Sequence, residues 1–346
     1  MKKYAILCNP GHNRIYFETS LILAKSEFLV ASQKMEDKPT AINHEIISNI
    51  NYFTFEINED LTVNDLKIVS NLSFVFALFK VVKVEEKDCF VPISRNNKFY
   101  VDESISSILK YSGKTNELFT RMMINVAMLS QDETENIKLF DPIAGKGTTL
   151  YEGLIKGFDV YGMEVGEKVT AEAFQFLKKF CQNNKYKHSS DVIRVSGPNK
   201  EFTGIKHNVQ IAPTKEDAKN KAYKTAEIIA GNSINADYFY KKNFFNLIVG
   251  DLPYGIQHGN VTGEKQSSLT RNPTQLLRAC LPKWGTVLKS GGVVCLAWNA
   301  NVLTREKVIG IFEEKGFEVL NNGAYKEFAH KVDQSILRDI IVAKKT

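Results

Sequence analysis

An acid, a proline and an aromatic residue directly follow an apolar run in the second half of the chain. The run covers residues 244–250, and Asp251, Pro253 and Tyr254 come immediately after it. This pattern predicts a buried strand ending in a tight turn that the proline stiffens. A carboxylate that accepts N–H bonds, beside a ring that stacks on a base, suits methylation of an exocyclic amino group of a nucleobase.

The same turn has a simpler interpretation, because Pro-Tyr-Gly also occurs in ordinary turns that close a strand. Taken alone, the segment favours that simpler interpretation. One related chemistry is excluded: methylation at C5 of cytosine needs a nucleophilic cysteine in this loop, and the nearest cysteine is Cys280 on a predicted helix.

A glycine turn between a predicted strand and a predicted helix supplies the second half of the chemistry. The strand ends at Asp141, and Gly145 and Gly147 follow before a helix that begins at about Thr148. Glycine allows a sharp turn and a close approach to a ligand, which then faces the amides of the helix start. The spacing fits neither a nucleoside triphosphate loop nor a dinucleotide fingerprint, since Leu150 stands where the latter needs a small residue.

S-adenosylmethionine (SAM) fits this turn better than either alternative. Asp141 can accept hydrogen bonds from its ammonium group, and Glu164, at the end of the next strand, can accept both ribose hydroxyls. Asn232 follows a later strand, where an adenine contact and a plain turn asparagine are equally plausible. The predicted cofactor-binding residues are Asp141, Ala144, Gly145, Gly147, Thr148, Glu164 and Asn232.

The elements that must position these residues form an α/β pattern. Residues 1–92 read as a small α+β domain, 93–135 as a linker and helical bridge, and 136–346 as alternating strands and helices. Such alternation predicts a mostly parallel sheet with ligands at its carboxyl edge. Residues 184–224 interrupt the alternation. They read as an insertion that consists of a hairpin and a helix.

Composition limits the location and the partners. The five cysteines are scattered without a CxxC pair, no signal peptide or membrane span is visible, and no metal site is expected. We therefore expect a cytoplasmic protein. The net charge is +6, and the insertion concentrates it, with nine basic and four acidic side chains. Contact with nucleic acid and a simple solvated face are about equally plausible there.

Three side chains in the loop after the turn could contact phosphates, although solvated loop residues are the commoner case. These candidate substrate-binding residues are His258, Lys265 and Arg271.

The chain resembles the THUMP-associated tRNA guanine-N2 methyltransferases in three motifs: residues 141–152, residues 157–164 and Asp251-Leu252-Pro253-Tyr254-Gly255. The similarity covers about residues 110–346. It implies a Rossmann-like SAM-dependent methyltransferase sheet with a C-terminal antiparallel hairpin, a ferredoxin-like N-terminal domain, and methylation of guanine-N2 in tRNA. Leu252 stands where the family has its first proline, and the stretch before Lys110 leaves little room for a complete THUMP module.

Two other functions compete with this prediction. One is an adenine-N6 or cytosine-N4 DNA methyltransferase, although a DNA enzyme with this motif order would usually add a target-recognition domain after the sheet. The other is a catalytically silent RNA-binding subunit, for which Leu252 is a mild indication.

Overall fold

A computed structural model of the protein describes residues 1–9, 14–108, 114–254 and 273–346. The described chain forms two units, the first from residues 1–98 and 321–334, the second from residues 99–320 and 335–346. The sequence-based division ended the N-terminal domain at residue 92 and assigned all later residues to the bridge and the C-terminal domain. It did not anticipate that a segment near the chain end belongs to the first unit.

The first unit is built on an antiparallel sheet. Its elements are β1 (Lys2–Cys8), α1 (Arg14–Ser32), β2 (Thr40–Ile47), β3 (Ile50–Ile57), α2 (Val63–Ser70), β4 (Val75–Val84) and β5 (Lys87–Ile93). The strand order is β2-β3-β1-β4-β5, and every neighbouring pair is antiparallel. The first four strands and two helices follow the βαββαβ order of the ferredoxin-like motif, with β5 added at one edge. The predicted ferredoxin-like domain is confirmed.

One face of this sheet packs on α1 through aromatic side chains. Phe28 of α1 is buried between Phe53 and Phe55 of β3, with ring centroids 4.9 and 4.7 Å away. Helix α2 begins with a capping box, in which Thr62 and Asp65 satisfy each other's backbone N–H groups. Residues 321–334 complete the unit, and include β14 (His330–Lys331). The Ser26 hydroxyl of α1 donates to the Glu327 carbonyl at 2.8 Å, which links this segment to the helix.

The second unit alternates strands and helices. Its elements are α3 (Ser104–Ile108), α4 (Glu117–Leu129), β6 (Lys138–Asp141), α5 (Thr148–Ile155), β7 (Asp159–Glu164), α6 (Glu167–Asn183), β8 (Lys187–Ser196), β9 (Thr203–Ala212), α7 (Lys215–Lys219), β10 (Lys224–Ala230), α8 (Ala236–Phe239), β11 (Phe245–Asp251), α9 (Pro273–Val287), β12 (Leu288–Asn299), α10 (Arg305–Glu314), β13 (Phe317–Val319) and β15 (Leu337–Lys345).

The strands of this unit run in the order β13-β15-β12-β11-β6-β7-β10-β9-β8. Strands β10, β7, β6, β11 and β12 are parallel, and β15 pairs antiparallel with both β12 and β13. The chain moves outward in one direction from β6 and then crosses back to β11 on its other side. Ligands of such sheets bind outside the carboxyl ends of the strands at this point of reversal. The predicted Rossmann-like methyltransferase fold with its antiparallel C-terminal strands is confirmed.

The insertion extends the sheet. Strands β8 and β9 form an antiparallel hairpin, and β9 pairs antiparallel with β10, so the insertion adds two strands at one edge, followed by α7. A hairpin and a helix are what the sequence predicted here.

The core of the second unit holds the central strands in place. Phe140 of β6 stacks on Phe245 of β11 at 4.8 Å, and both rings are fully buried. Trp284 and Trp298 are also buried, and their indole N–H groups donate to backbone carbonyls at 3.2 and 2.7 Å. Because β11 is buried on both faces, its sequence is a mostly apolar run, interrupted only by the buried Asn246 before it ends at Asp251. None of the described helices is long and apolar enough to cross a membrane.

Candidate active site

Two acids end neighbouring strands at the point where the sheet topology reverses. Strands β6 and β11 pair in parallel, and Asp141 and Asp251 are their last residues. Gly250 lies against the first acid so closely that a Cβ atom there would stand 3.0 Å from the Asp141 Oδ1 atom. The residues predicted for cofactor binding and for catalysis are therefore brought to one edge of the sheet.

The glycine turn after β6 adopts the backbone that only glycine takes easily. Gly145 and Gly147 have φ angles of +51° and +91°, and Gly147 is the N-cap of α5. Glu164, at the end of β7, accepts hydrogen bonds from the Gly145 N–H at 3.2 Å and the Gly166 N–H at 2.9 Å. These two bonds fix the carboxylate of Glu164 beside the turn.

Asp141 is the most deeply buried of the three acids. Its carboxylate accepts the Ile143 N–H at 2.9 Å. Burial, and to a smaller extent the charges of Asp251 and Glu164, raise the pKa of Asp141 to about 7, even though hydrogen bonds from Thr149 and Ile143 lower it. A cationic group placed beside Asp141 would favour the ionised carboxylate.

Three further predicted cofactor residues surround this turn. Ala144 and Thr148 are buried, and the Ala144 N–H donates to the Met163 carbonyl at 2.9 Å. Asn232 lies just after β10, where its side-chain oxygen accepts the Ile234 N–H at 3.1 Å and so caps a short turn. The structure thus gives Asn232 the turn role that the sequence offered as one of two possibilities, and its adenine contact stays a prediction.

The carboxylate of Asp251 lies within a hydrogen-bond network. The Tyr254 hydroxyl is 2.7 Å from both of its oxygens, and the Thr115 hydroxyl donates to Oδ2 at 2.9 Å. Arg338 of β15 donates from Nε to the Tyr254 hydroxyl at 2.5 Å, and its Nη2 lies 3.8 Å from Asp251 Oδ2. The guanidinium also lies over two aromatic rings, 4.5 Å from the centroid of Phe119 and 5.3 Å from that of Tyr254.

Tyr254 therefore has a contact that the sequence-based hypothesis did not include. Burial and the charge of Asp251 hold the pKa of Tyr254 well above its ordinary value, although the nearby Arg338 lowers it. The hydroxyl accordingly keeps its proton and donates a hydrogen bond to the Asp251 carboxylate. Stacking of the ring on a nucleobase stays a prediction, as does the stiffening role of Pro253.

A family comparison identifies the second unit. The UPF0020 family, described as the RMKL-like methyltransferase domain, matches residues 110–314, more than half of the chain. The chain belongs to this family. It is a SAM-dependent methyltransferase, and SAM is its cofactor. No curated protein matches the sequence.

Several solved structures resemble the chain at low sequence identity. A TehB-like SAM-dependent methyltransferase from Corynebacterium glutamicum is 13% identical over 62% of this chain and 83% of that one, with a TM-score of 0.36. An rRNA methylase from Streptococcus thermophilus is 11% identical over 62% and 89%, with a TM-score of 0.33. A Streptococcus mutans protein in complex with SAH is 12% identical over 64% and 93%, with a TM-score of 0.34.

The carboxyl ends of the central strands β6 and β7 fit the cofactor of a methyltransferase domain. Above Gly145 there is open space, since a Cβ atom there would meet no heavy atom within 4 Å. The buried acid Asp141 can accept hydrogen bonds from the ammonium group of SAM. Two backbone N–H groups hold the Glu164 carboxylate beside the turn, where it can accept hydrogen bonds from the ribose hydroxyls of SAM. Donor and acceptor types and free space therefore agree with SAM at this turn.

Sequence reasoning missed two residues that contact Asp251 or Tyr254, namely Thr115 and Arg338. They lie 136 residues before Asp251 and 84 residues after Tyr254, so no local spacing links them to the catalytic turn. The resemblance to known methyltransferases included both segments, which was the one available signal. The predicted phosphate contacts His258, Lys265 and Arg271 lie outside the described residues. Among the described residues, no cluster of acids, histidines and cysteines could hold a metal ion.

Proposed function

We propose that this methyltransferase acts on an exocyclic amino group of a nucleobase in RNA, and specifically on N2 of guanine in tRNA. The observation that carries the proposal is the position of the Asp251 carboxylate at the end of β11, next to the strand that leads into the cofactor turn. In this arrangement a flat base can lie between a carboxylate and a methyl donor. The motif resemblance supplies the choice of guanine-N2 and tRNA.

The lone pair of an aromatic amine is delocalised into the ring, so the enzyme must localise it along the line of attack. Asp251 can accept an N–H bond of the amine and hold the nitrogen in that geometry, while Tyr254 stacks on the base. When bound, SAM supplies an electrophilic methyl group, so that a C–N bond forms, the C–S bond breaks and one amine proton is lost. Asp251 can accept that proton and pass it to solvent.

The basic insertion supports a polyanionic substrate. Lys215, Lys219 and Lys221 are exposed on and just after α7. Side chains of this kind contact phosphates and set the orientation of a nucleic acid without reading its bases.

The scattered cysteines are the reason to expect the reaction in the cytoplasm.

Mass spectrometry of nucleosides from tRNA, rRNA and DNA of a strain lacking the gene tests the proposal. We expect N2-methylguanosine to fall in tRNA, and purified protein with SAM to restore it in the same tRNA. Loss of N6-methyladenine or N4-methylcytosine from DNA would instead establish the DNA alternative. An unchanged nucleoside profile, with SAM bound but no transfer in vitro, would establish a catalytically silent subunit.

A further inference from the structure

Arg338 joins the transfer site from the far end of the chain. It lies on β15, the antiparallel strand beside β12, and only 4% of its surface is exposed. Its guanidinium contacts the Tyr254 hydroxyl, lies near the Asp251 carboxylate, and packs over the Phe119 ring. These three contacts place a permanent positive charge directly behind the catalytic turn.

The chemistry of the donors fixes the direction of every hydrogen bond in this network. Arginine can only donate, so the Tyr254 oxygen must accept from Arg338 Nε. The tyrosine proton is then left to point at Asp251, whose carboxylate oxygens accept it in a hydrogen bond. The order is Arg338 to Tyr254 to Asp251. In this arrangement the tyrosine hydroxyl occupies the position on the carboxylate that an N–H donor would need.

We propose that Arg338 is a positioning residue of the transfer site, by which we mean Asp251, Tyr254 and Thr115, and that it orders this site through Tyr254. When the substrate binds, its amine replaces the tyrosine hydroxyl as the hydrogen-bond donor to Asp251. This inference rests on the proposed function. When the amine displaces the Tyr254 hydroxyl from the carboxylate, Arg338 keeps its own hydrogen bond to that hydroxyl and so holds the ring beside Asp251. The Arg338 Nη2 atom lies 3.8 Å from the Asp251 carboxylate that accepts the amine N–H. Phe119 keeps the guanidinium in place by packing against its flat face.

Arg338→Gln tests the proposal, with Arg305→Gln as a matched control. Arg305 pairs with Asp339, the neighbour of Arg338 on β15, at 2.8 Å, and has no role in the site described above. Both variants remove a buried or half-buried arginine from the same region. The assay is methyl transfer from labelled SAM to tRNA from the strain lacking the gene, alongside SAM binding by calorimetry.

We expect Arg338→Gln to lower kcat/KM by about 10- to 100-fold, the range that corresponds to one charge-assisted hydrogen bond. SAM affinity should stay within about twofold of the control, because the cofactor turn is on β6 and not on β15. Arg338→Lys keeps the charge without the planar fork, and should recover part of the lost turnover. A purely structural arginine would instead lower SAM binding and transfer together.

Two results separate failure of this inference from failure of the proposed function. An Arg338→Gln variant as active as Arg305→Gln overturns the role of Arg338 and leaves the proposed function intact. A wild-type protein that methylates no RNA overturns the proposed function. In that case, a double-mutant cycle of Arg338→Gln and Tyr254→Phe, read as shifts in the thermal midpoint, decides the contact: non-additive shifts support it, and additive shifts overturn it.

Discussion

At the scale of single residues, the raised pKa of the buried acid Asp141 should make the candidate cofactor site sensitive to pH. Its folded-state pKa of about 7 lies above the ordinary value for aspartate, so between these values the folded protein holds a proton that the unfolded chain has lost. The stability of the ligand-free protein should therefore fall as pH rises from about 4 to about 7.

The same titration should couple SAM binding to proton release. Because the SAM ammonium favours the ionised carboxylate, SAM affinity should rise from pH 6 to pH 8, by up to about tenfold per pH unit below the pKa of Asp141. Calorimetry in two buffers of different ionisation enthalpy measures the proton released. Asp141→Asn should abolish this dependence, whereas Glu164→Gln should keep it at a lower overall affinity. An Asp141→Asn variant with an unchanged pH profile would contradict the prediction.

Variants of Asp251 and of Glu164 should separate SAM binding from methyl transfer. We expect Asp251→Ala to reduce transfer by about 10²-fold or more while SAM binding stays nearly intact, because the variant removes only the acceptor of the amine. Glu164→Ala should weaken SAM binding, since the carboxylate beside the cofactor turn is removed. Transfer rates and calorimetry check both effects. Wild-type turnover in both variants would show that the site is assigned to the wrong residues.

Gly250 offers a test of the close approach between β11 and Asp141. Gly250→Ala places a Cβ atom 3.0 Å from the Asp141 Oδ1 atom, so the carboxylate must move and SAM affinity should drop. Gly310→Ala on α10 is the control, because its Cβ would meet no heavy atom within 4 Å. That variant should raise the free energy of unfolding by about 0.4–1 kcal/mol without changing SAM affinity. Equal SAM affinity in both variants would show that a Cβ atom at position 250 does not displace the Asp141 carboxylate.

Residues near the catalytic turn could be predicted, and distant ones could not. Asp251 and Asp141 were found because each follows a buried apolar strand, and the sheet topology then brings the two strand ends together. Thr115 and Arg338 reach the same carboxylate only through tertiary pairing. The role of Arg338 depends on the register of β15 against β12, which no local pattern encodes.

At the scale of secondary-structure elements, the insertion should govern the salt dependence of RNA binding. Reversing Lys215, Lys219 and Lys221 to glutamate should weaken tRNA binding and reduce the slope of log affinity against log salt by about one for each phosphate that the variant no longer neutralises. Filter binding at several salt concentrations measures the slope. The control reverses three exposed lysines of the first unit, Lys67, Lys83 and Lys87. Equal slopes in the two variants would remove the insertion from the RNA-binding surface.

Burial decides which elements the sequence reveals. Helices α2 and α4 can be recognised in the sequence, because each shows a clear start and a periodic apolar face. Strands β2 and β5 cannot. Both are edge strands of the first sheet, and their side chains are mostly exposed or half-buried, so neither shows the alternation that marks a strand. Pro92 within β5 further obscured it, since proline is tolerated only at such edges.

At the scale of the whole molecule, the first unit depends on a segment distant in sequence. Ser26→Ala removes the hydroxyl that donates to Glu327, so we expect the free energy of unfolding of this unit to fall by about 1 kcal/mol. Hydrogen exchange in residues 321–334 should accelerate. Ser32→Ala is the matched control, because the Ser32 hydroxyl donates to Leu29 within the same helix. Equal exchange in both variants would show that the link to Glu327 contributes nothing.

The discontinuity of the first unit also has a consequence for biosynthesis. A ribosome releases residues 1–98 long before residues 321–334 exist, and nascent domains usually fold in the order in which they emerge. Here the amino-terminal unit stays incomplete while the methyltransferase strands β6 to β13 are translated. A premature stop before residue 321 would therefore leave the earliest-made part of the protein without the segment that contacts α1.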